Sequence, residues 1–133
     1  MAFFGKESKF EKQEETFEDF VNALGLTPEQ TQGYLTYTPT LKFTQDGDSY
    51  TVTTITPKTK SEVTFKSGVE FDDNNANRHC KTTYTVAGDT ITQVQKYDDG
   101  NSLTITRKFS GNEMVVTLAT SKWDGVARRY YKA

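Results

Sequence analysis

The sequence predicts an all-β fold, a ten-stranded antiparallel up-and-down barrel carrying one pair of short helices, and three observations predict it. From Thr38 onward Thr, Val, Ile, Tyr and Phe dominate. Turn signals recur about every ten residues along that stretch. Short connections make sequential strands pair antiparallel as a meander, and so many strands in so short a chain favour closure, which removes exposed edges.

The elements follow in order. One strand is expected at about 5 to 12. Residues 14 to 25 carry Phe17, Phe20, Val21 and Leu24 on a single helical stripe, with Glu14, Glu15, Glu18 and Asp19 on the early turns. Gly25 ends that helix. Thr27 then reads as an N-cap and Pro28 as the first residue of a second helix ending near 33 to 37, so the two form a helical hairpin. About nine strands follow. They are bounded by turns at 45–48, 57–59, 67–68, 74–77, 87–89, 98–100, 110–112 and 124–125. No linker or low-complexity tract interrupts the chain, and residues 1–133 are read as one domain.

Bulk composition narrows the function classes. The 133 residues carry a net charge of -2 with both signs interspersed, which gives no basic surface for nucleic acid. Nine Phe, seven Tyr and one Trp exclude a disordered chain. Cys80 is the only cysteine, which rules out an internal disulfide and suits a reducing compartment. No signal-peptide pattern and no run near the roughly 20 apolar residues of a membrane span is present, so a cytoplasmic location is expected. With His79 as the only histidine, neither a metal cluster nor a Ser-His-Asp triad has its parts, and no dinucleotide or P-loop fingerprint occurs. An enzyme, a metal and a cofactor are therefore not expected. Cys80 reads as a packed thiol, and Asp72-Asp73 and Asp98-Asp99 as solvated turn residues.

The chemistry concentrates in two strands. In strand 103 to 109, Leu103, Ile105, Arg107 and Phe109 share one face, which puts Arg107 on the apolar, inward side. A buried guanidinium requires an anion or hydrogen-bond acceptors. Either a bound ligand supplies a carboxylate, or Arg107 snorkels at a barrel end or pairs with a backbone carbonyl. In the last strand, Arg129 and Tyr131 lie on one parity, and Arg128 and Tyr130 on the other. Either pair suits a carboxylate, through an arginine fork and a phenol. Arg129 and Tyr131 are preferred, because the alternative also turns Lys132 inward. Gln93 and Gln95 either bind water inside the barrel or lie outside it. Phe17, Phe20, Val21, Gln95, Ile105, Val116 and Leu118 are the expected lining of the cavity and of the helical hairpin above it.

These residues carry a resemblance nearly end to end. Phe4-Gly5-Lys6, Phe17-Glu18-Asp19-Phe20-Val21-Asn22-Ala23-Leu24-Gly25, Phe65-Lys66-Ser67-Gly68-Val69-Glu70-Phe71-Asp72, Gln95-Lys96-Tyr97-Asp98 before Arg107, and the terminal Arg-x-Tyr together resemble the intracellular lipid-binding proteins, the fatty-acid-binding protein family. Trp123-Asp124-Gly125-Val126-Ala127 is similar to the arthropod, particularly insect gut, members. The resemblance implies a ten-stranded antiparallel clam with a helix-turn-helix lid, working as a monomer. It implies a long-chain fatty acid inside, or alternatively a retinoid or other apolar carboxylate, held by two arginines and a tyrosine. Arg107 falls on the first arginine position. Arg129 and Tyr131 match the second arginine and the tyrosine if the preceding loop is slightly long, and Arg128 and Tyr130 match with a smaller insertion. The chain departs from the family in three places. Glu7 or Ser8 stands where a Trp is frequent, Pro57 and Lys58 where a portal Phe is frequent, and Pro28, Gln30 and Gln32 on a second helix that is usually more apolar. Lys58, with Lys60 close by, is a candidate for transient contact with anionic membranes.

Overall fold

The computed structural model describes residues 3–75 and 78–133, the Asn75 side chain aside. The elements run β1 (Glu7–Gln13), α1 (Thr16–Ala23), α2 (Pro28–Leu35), β2 (Thr40–Asp46), β3 (Ser49–Ile55), β4 (Lys60–Lys66), β5 (Glu70–Asn75), β6 (Arg78–Ala87), β7 (Thr90–Tyr97), β8 (Ser102–Ser110), β9 (Glu113–Thr120) and β10 (Trp123–Lys132). The ten strands form one antiparallel sheet in the order β4-β3-β2-β1-β10-β9-β8-β7-β6-β5. Sequential meander pairing is broken once, between β4 and β5, and the chain ends meet where β1 pairs with β10. The outer strands β4 and β5 do not pair with each other. The turn between them reaches β6 instead: Gly68 N–H donates to the Tyr84 carbonyl (2.8 Å) and Ser67 Oγ accepts from Val86 N–H (2.9 Å).

Turns at Gly47, Gly68, Gly88, Gly100 and Gly111 separate strands where the sequence places them. Of the expected turn at 74–77, residues 76 and 77 lie outside the described residues. The expected turn at 124–125 is corrected. The chain reverses at 121–122, and Asp124 and Gly125 lie within β10. Trp123 pairs with Thr120 and Ala127 with Leu118, so β10 carries extra residues as a bulge. The Trp123 ring folds over Gly125, where an added Cβ would lie 2.3 Å from ring atom Cζ2. Glycine is required there for space, not for a turn.

The first helix is shorter than its apolar stripe. β1 continues through Gln13, which pairs with Arg129, and Glu14 N–H donates to the Arg128 carbonyl (3.0 Å). Those ladder bonds hold residues 13 and 14 extended, and α1 begins at Thr16. At the other end Gly25 takes φ +69°, a left-handed stop suited to glycine. Lys122 Nζ donates to the Leu24 carbonyl (3.1 Å), placing a cation on the negative end of α1. α2 begins with a capping box: Gln30 N–H donates to Thr27 Oγ1, and Thr27 N–H donates to Gln30 Oε1, each at 3.1 Å.

α1 buries Phe17, Phe20 and Val21 against the barrel mouth, whereas α2 buries no residue fully. Phe20 meets Trp123 edge-on at 6.2 Å. At the opposite end Phe3 stacks on Phe109 at 3.9 Å. The barrel is therefore plugged below by aromatic rings and covered above by the hairpin.

The Trp123–Gly125 contact gives a stability test. Gly125→Ala should cost about 1–3 kcal/mol, the usual range for overpacking, because the indole must leave its seat. Denaturant unfolding followed by the fluorescence of Trp123, the only tryptophan, checks it. An unchanged midpoint and emission maximum would contradict the packing.

Candidate functional site

The inward parity of β8 places Arg107 where the sequence puts it, 8% exposed among Leu103, Ile105 and Phe109. β10 turns Arg129 (5%) and Tyr131 (4%) inward, and leaves Arg128 exposed. The reason lies on the outer face. Glu14, just past β1, sits 3.6 Å from Arg128 and accepts from the Tyr130 hydroxyl (3.3 Å). The alternative pair, Arg128 and Tyr130, is thereby tied to the end of β1.

β9 sets the spacing between the two inward arginines. Val116 is the register partner of both Arg107 and Arg129, so the three residues lie in one row across three strands. Two strand spacings, about 9–10 Å, separate the arginine Cα atoms, and long side chains on one face close that gap.

The two guanidiniums differ in what they meet. Arg129 is held on all sides: Nε donates to Gln13 Oε1 (3.1 Å), Nη1 to the Tyr131 hydroxyl oxygen (3.3 Å) and Nη2 to the Tyr37 carbonyl. The rings of Phe10 and Phe17 lie 4.5 and 4.6 Å from its guanidinium carbon. Arg107 makes one side-chain hydrogen bond, from Nη2 to Gln93 Oε1 (2.9 Å). Its Nε and Nη1 are buried and have no acceptor among the described residues. Neither arginine forms an ion pair with a described residue. Burial depresses the pKa of both and raises that of Tyr131, so charge on the guanidiniums is costly here and the phenol stays neutral.

These groups open into a cavity of about 300 Å³. That is far more than one water requires and reaches the range of small-molecule sites. Arg107, Arg129 and Tyr131 line it together with Phe17, Gln95, Ile105, Val116 and Leu118. Gln93 and Gln95 both face inward. Phe20 and Val21 are fully buried but do not reach the cavity; they fasten α1 to the barrel. Tyr34, Tyr37, Tyr84 and Asp73 also line it and were not expected from the sequence. Asp73 is a correction: β5 continues through it, so alternation turns it inward while Asp72 stays exposed. Cys80 is buried, as a packed thiol should be.

His79 lies at the exposed rim, with Nδ1 3.1 Å from Asp98 Oδ1 and Nε2 3.2 Å from Asp72 Oδ1. No group of metal-ligating residues occurs among the described residues, and no helix is long and apolar enough to cross a membrane.

A ten-stranded clam with a helical lid, and two buried arginines facing an internal cavity, defines a class: small β-barrels with a covered interior of mixed apolar and charged lining. Residues 6–124 match the Lipocalin / cytosolic fatty-acid binding protein family, and the chain belongs to that family. It is 45% identical over 134 residues to fatty acid-binding protein 1 of Manduca sexta, covering 100% of both chains. The crystal structure of a fatty-acid-binding protein isolated from Manduca sexta superimposes with a TM-score of 0.91 at 42% identity, covering 98% of this chain and 99% of that one. A Schistosoma mansoni fatty acid binding protein in complex with arachidonic acid gives 0.83 at 32% identity, covering 98% and 95%. The family match stops short of Arg129 and Tyr131.

The rim yields a pH prediction. Hydrogen bonds to Asp98 and then Asp72 raise the pKa of His79. The folded value exceeds the unfolded one, so the added stability is fully present below about pH 6.5 and is lost as pH rises through the folded value. An NMR titration should place the His79 midpoint above about 6.5, and Asp98→Asn should lower it. A wild-type midpoint at or below the ordinary value would contradict the bridge.

Proposed function

We propose that this protein binds long-chain fatty acids inside the barrel and carries them as a cytoplasmic monomer, without transforming them. The carboxylate is taken by Arg107, Arg129 and Tyr131. The single observation that carries this reading is the pair of buried Arg107 nitrogens, Nε and Nη1, with no acceptor among the described residues. A carboxylate accepts charge-assisted hydrogen bonds, its second oxygen is free to meet the neighbouring donors of Arg129 and Tyr131, and it offsets the desolvation of the charge. Tyr131 accepts from Arg129 and so keeps its own O–H free to donate to the second carboxylate oxygen. Apolar walls supply the affinity: each buried methylene contributes about 0.8 kcal/mol, so a long chain gains on the order of 10 kcal/mol before ordering costs. The fatty-acid-binding relatives, one solved with arachidonic acid, support the same ligand class. Lys58, in the turn between β3 and β4, and Lys60, at the start of β4, are exposed and are candidates for contact with an anionic membrane during transfer.

Calorimetric titration of a fatty acid and its methyl ester tests the site. Arg107→Leu and Arg129→Leu should each weaken the acid by about 1.5–3 kcal/mol, the scale of a charge-assisted hydrogen bond, and the ester much less. Arg128→Leu should change neither. Equal losses for acid and ester would remove the carboxylate from the account, and a loss confined to Arg128→Leu would move the site to the other parity.

A further inference from the structure

The cavity has a second polar end. Asp73 on β5 pairs in register with Cys80 on β6, and Cys80 with Tyr97 on β7. Arg107 pairs with Ile91, at the other end of β7. Ile91 and Tyr97 are six residues apart, so the Asp73 row lies roughly 20 Å along the strand direction from the Arg107 row. The two inward glutamines divide between the ends. Gln93 accepts from Arg107, while Gln95 Oε1 accepts from the Tyr97 hydroxyl (3.2 Å). Between them Tyr84, itself lining the cavity, is placed to feel Arg107 and Asp73 with opposite signs.

Asp73 is built into this wall. Its Oδ2 accepts from Thr82 Oγ1 (3.2 Å), a fully buried side chain, and its Oδ1 accepts from the Asn74 backbone N–H (2.8 Å). Both contacts fix the carboxylate and leave each oxygen a second lone pair. Asn74 lines the cavity beside it. A plain acyl chain reaching this end would lay methylenes against a carboxylate and strip its water. A chain ending in a hydroxyl would instead donate a hydrogen bond to it. A chain ending in a second carboxylate would meet a like charge in a partly buried place.

We propose that the cavity is bipolar and that Asp73 makes it selective for fatty acids hydroxylated at or near the far end of the chain, over dicarboxylic acids of the same length. This rests on the carboxylate being held at the arginine end. The test compares hexadecanoic acid, its ω-hydroxy derivative and hexadecanedioic acid by calorimetric titration against wild type, Asp73→Asn, Asp73→Leu and Arg107→Leu. Asp73→Asn is isosteric and keeps an acceptor for Thr82, and its unfolding midpoint is measured beside the wild type to establish that it folds. Wild type should prefer the ω-hydroxy acid to the parent acid by about tenfold, the scale of one hydrogen bond to a charged group. Asp73→Leu should abolish that preference, tightening the parent acid and weakening the ω-hydroxy acid. Asp73→Asn should admit the diacid about tenfold more tightly than wild type does, since the repulsion is gone. Arg107→Leu should weaken all three acids and preserve the hydroxyl preference. If hexadecanoic acid binds wild type and is weakened by Arg107→Leu, but the ratios do not move in either Asp73 variant, this inference is overturned alone. If hexadecanoic acid does not bind, or Arg107→Leu leaves it unchanged, the carboxylate site fails and this inference fails with it.

Discussion

A guanidinium with two buried nitrogens that find no acceptor among the described residues is the constraint on which the rest of the structure depends. Arg107 sits 8% exposed on an otherwise apolar strand face, and Gln93 answers one of its donors. Apolar residues of similar volume would fill that space at lower desolvation cost. A carbonyl or water answers an isolated N–H, but unpaired donors on two nitrogens beside a second arginine in the same row suit an anion with more than one oxygen. The roughly 300 Å³ of adjoining space, walled by Ile105, Val116 and Leu118, then sets what the anion is attached to. Under the proposed function, charge fixes the head of the ligand and the walls bind its body.

The second arginine joins that site to the lid. Arg129 is bonded to Gln13 on β1, to Tyr131 on its own strand and to the Tyr37 carbonyl in the segment leading from α2 into β2, and it is stacked against Phe17 of α1. Under the proposed function, an incoming carboxylate would compete with a backbone carbonyl for one of these donors. Lys122 holds the C-terminal end of α1, and Phe20 and Trp123 pack beneath it. α2 buries no residue fully and packs on the core through the partly buried Tyr34 and Leu35. Of the covering elements it is the one whose displacement disturbs the least buried surface.

Much of this was legible in the sequence because it is governed by short-range rules. Turn residues marked the strand ends, the Thr27–Gln30 box marked α2, and strict alternation placed Arg107 inward. Alternation could not place the last strand, because Arg-x-Tyr occurs on both parities. The bulge after Trp123 and the Glu14 contacts to Arg128 and Tyr130 decide it, and both are long-range. Distance in sequence also hid the partners of Arg129, since Gln13 and Tyr37 reach it only after the chain ends have paired. Asp124-Gly125 imitated a turn while serving a bulge beneath an indole ring. Asp73 was misplaced for the opposite reason: local composition suggested a solvated turn, but the strand runs on and its alternation turns the side chain into the cavity. Phe20 and Val21 lay on the correct stripe, yet one helix face divides its residues between the cavity and the rim packing.

The central claim is that Arg107 is kept for an anion and not for the fold. Denaturant unfolding of delipidated wild type and Arg107→Met, each with and without saturating fatty acid, tests it most directly. Without ligand the variant should be as stable as wild type or more stable, by up to about 4 kcal/mol, because an under-satisfied buried charge has been replaced by an apolar side chain of similar volume. With fatty acid the wild type should gain markedly more than the variant, since binding to the folded state alone stabilises it in proportion to affinity. A variant that is less stable than wild type without ligand, and equally stabilised by the acid, would show that Arg107 serves the fold and would contradict the account.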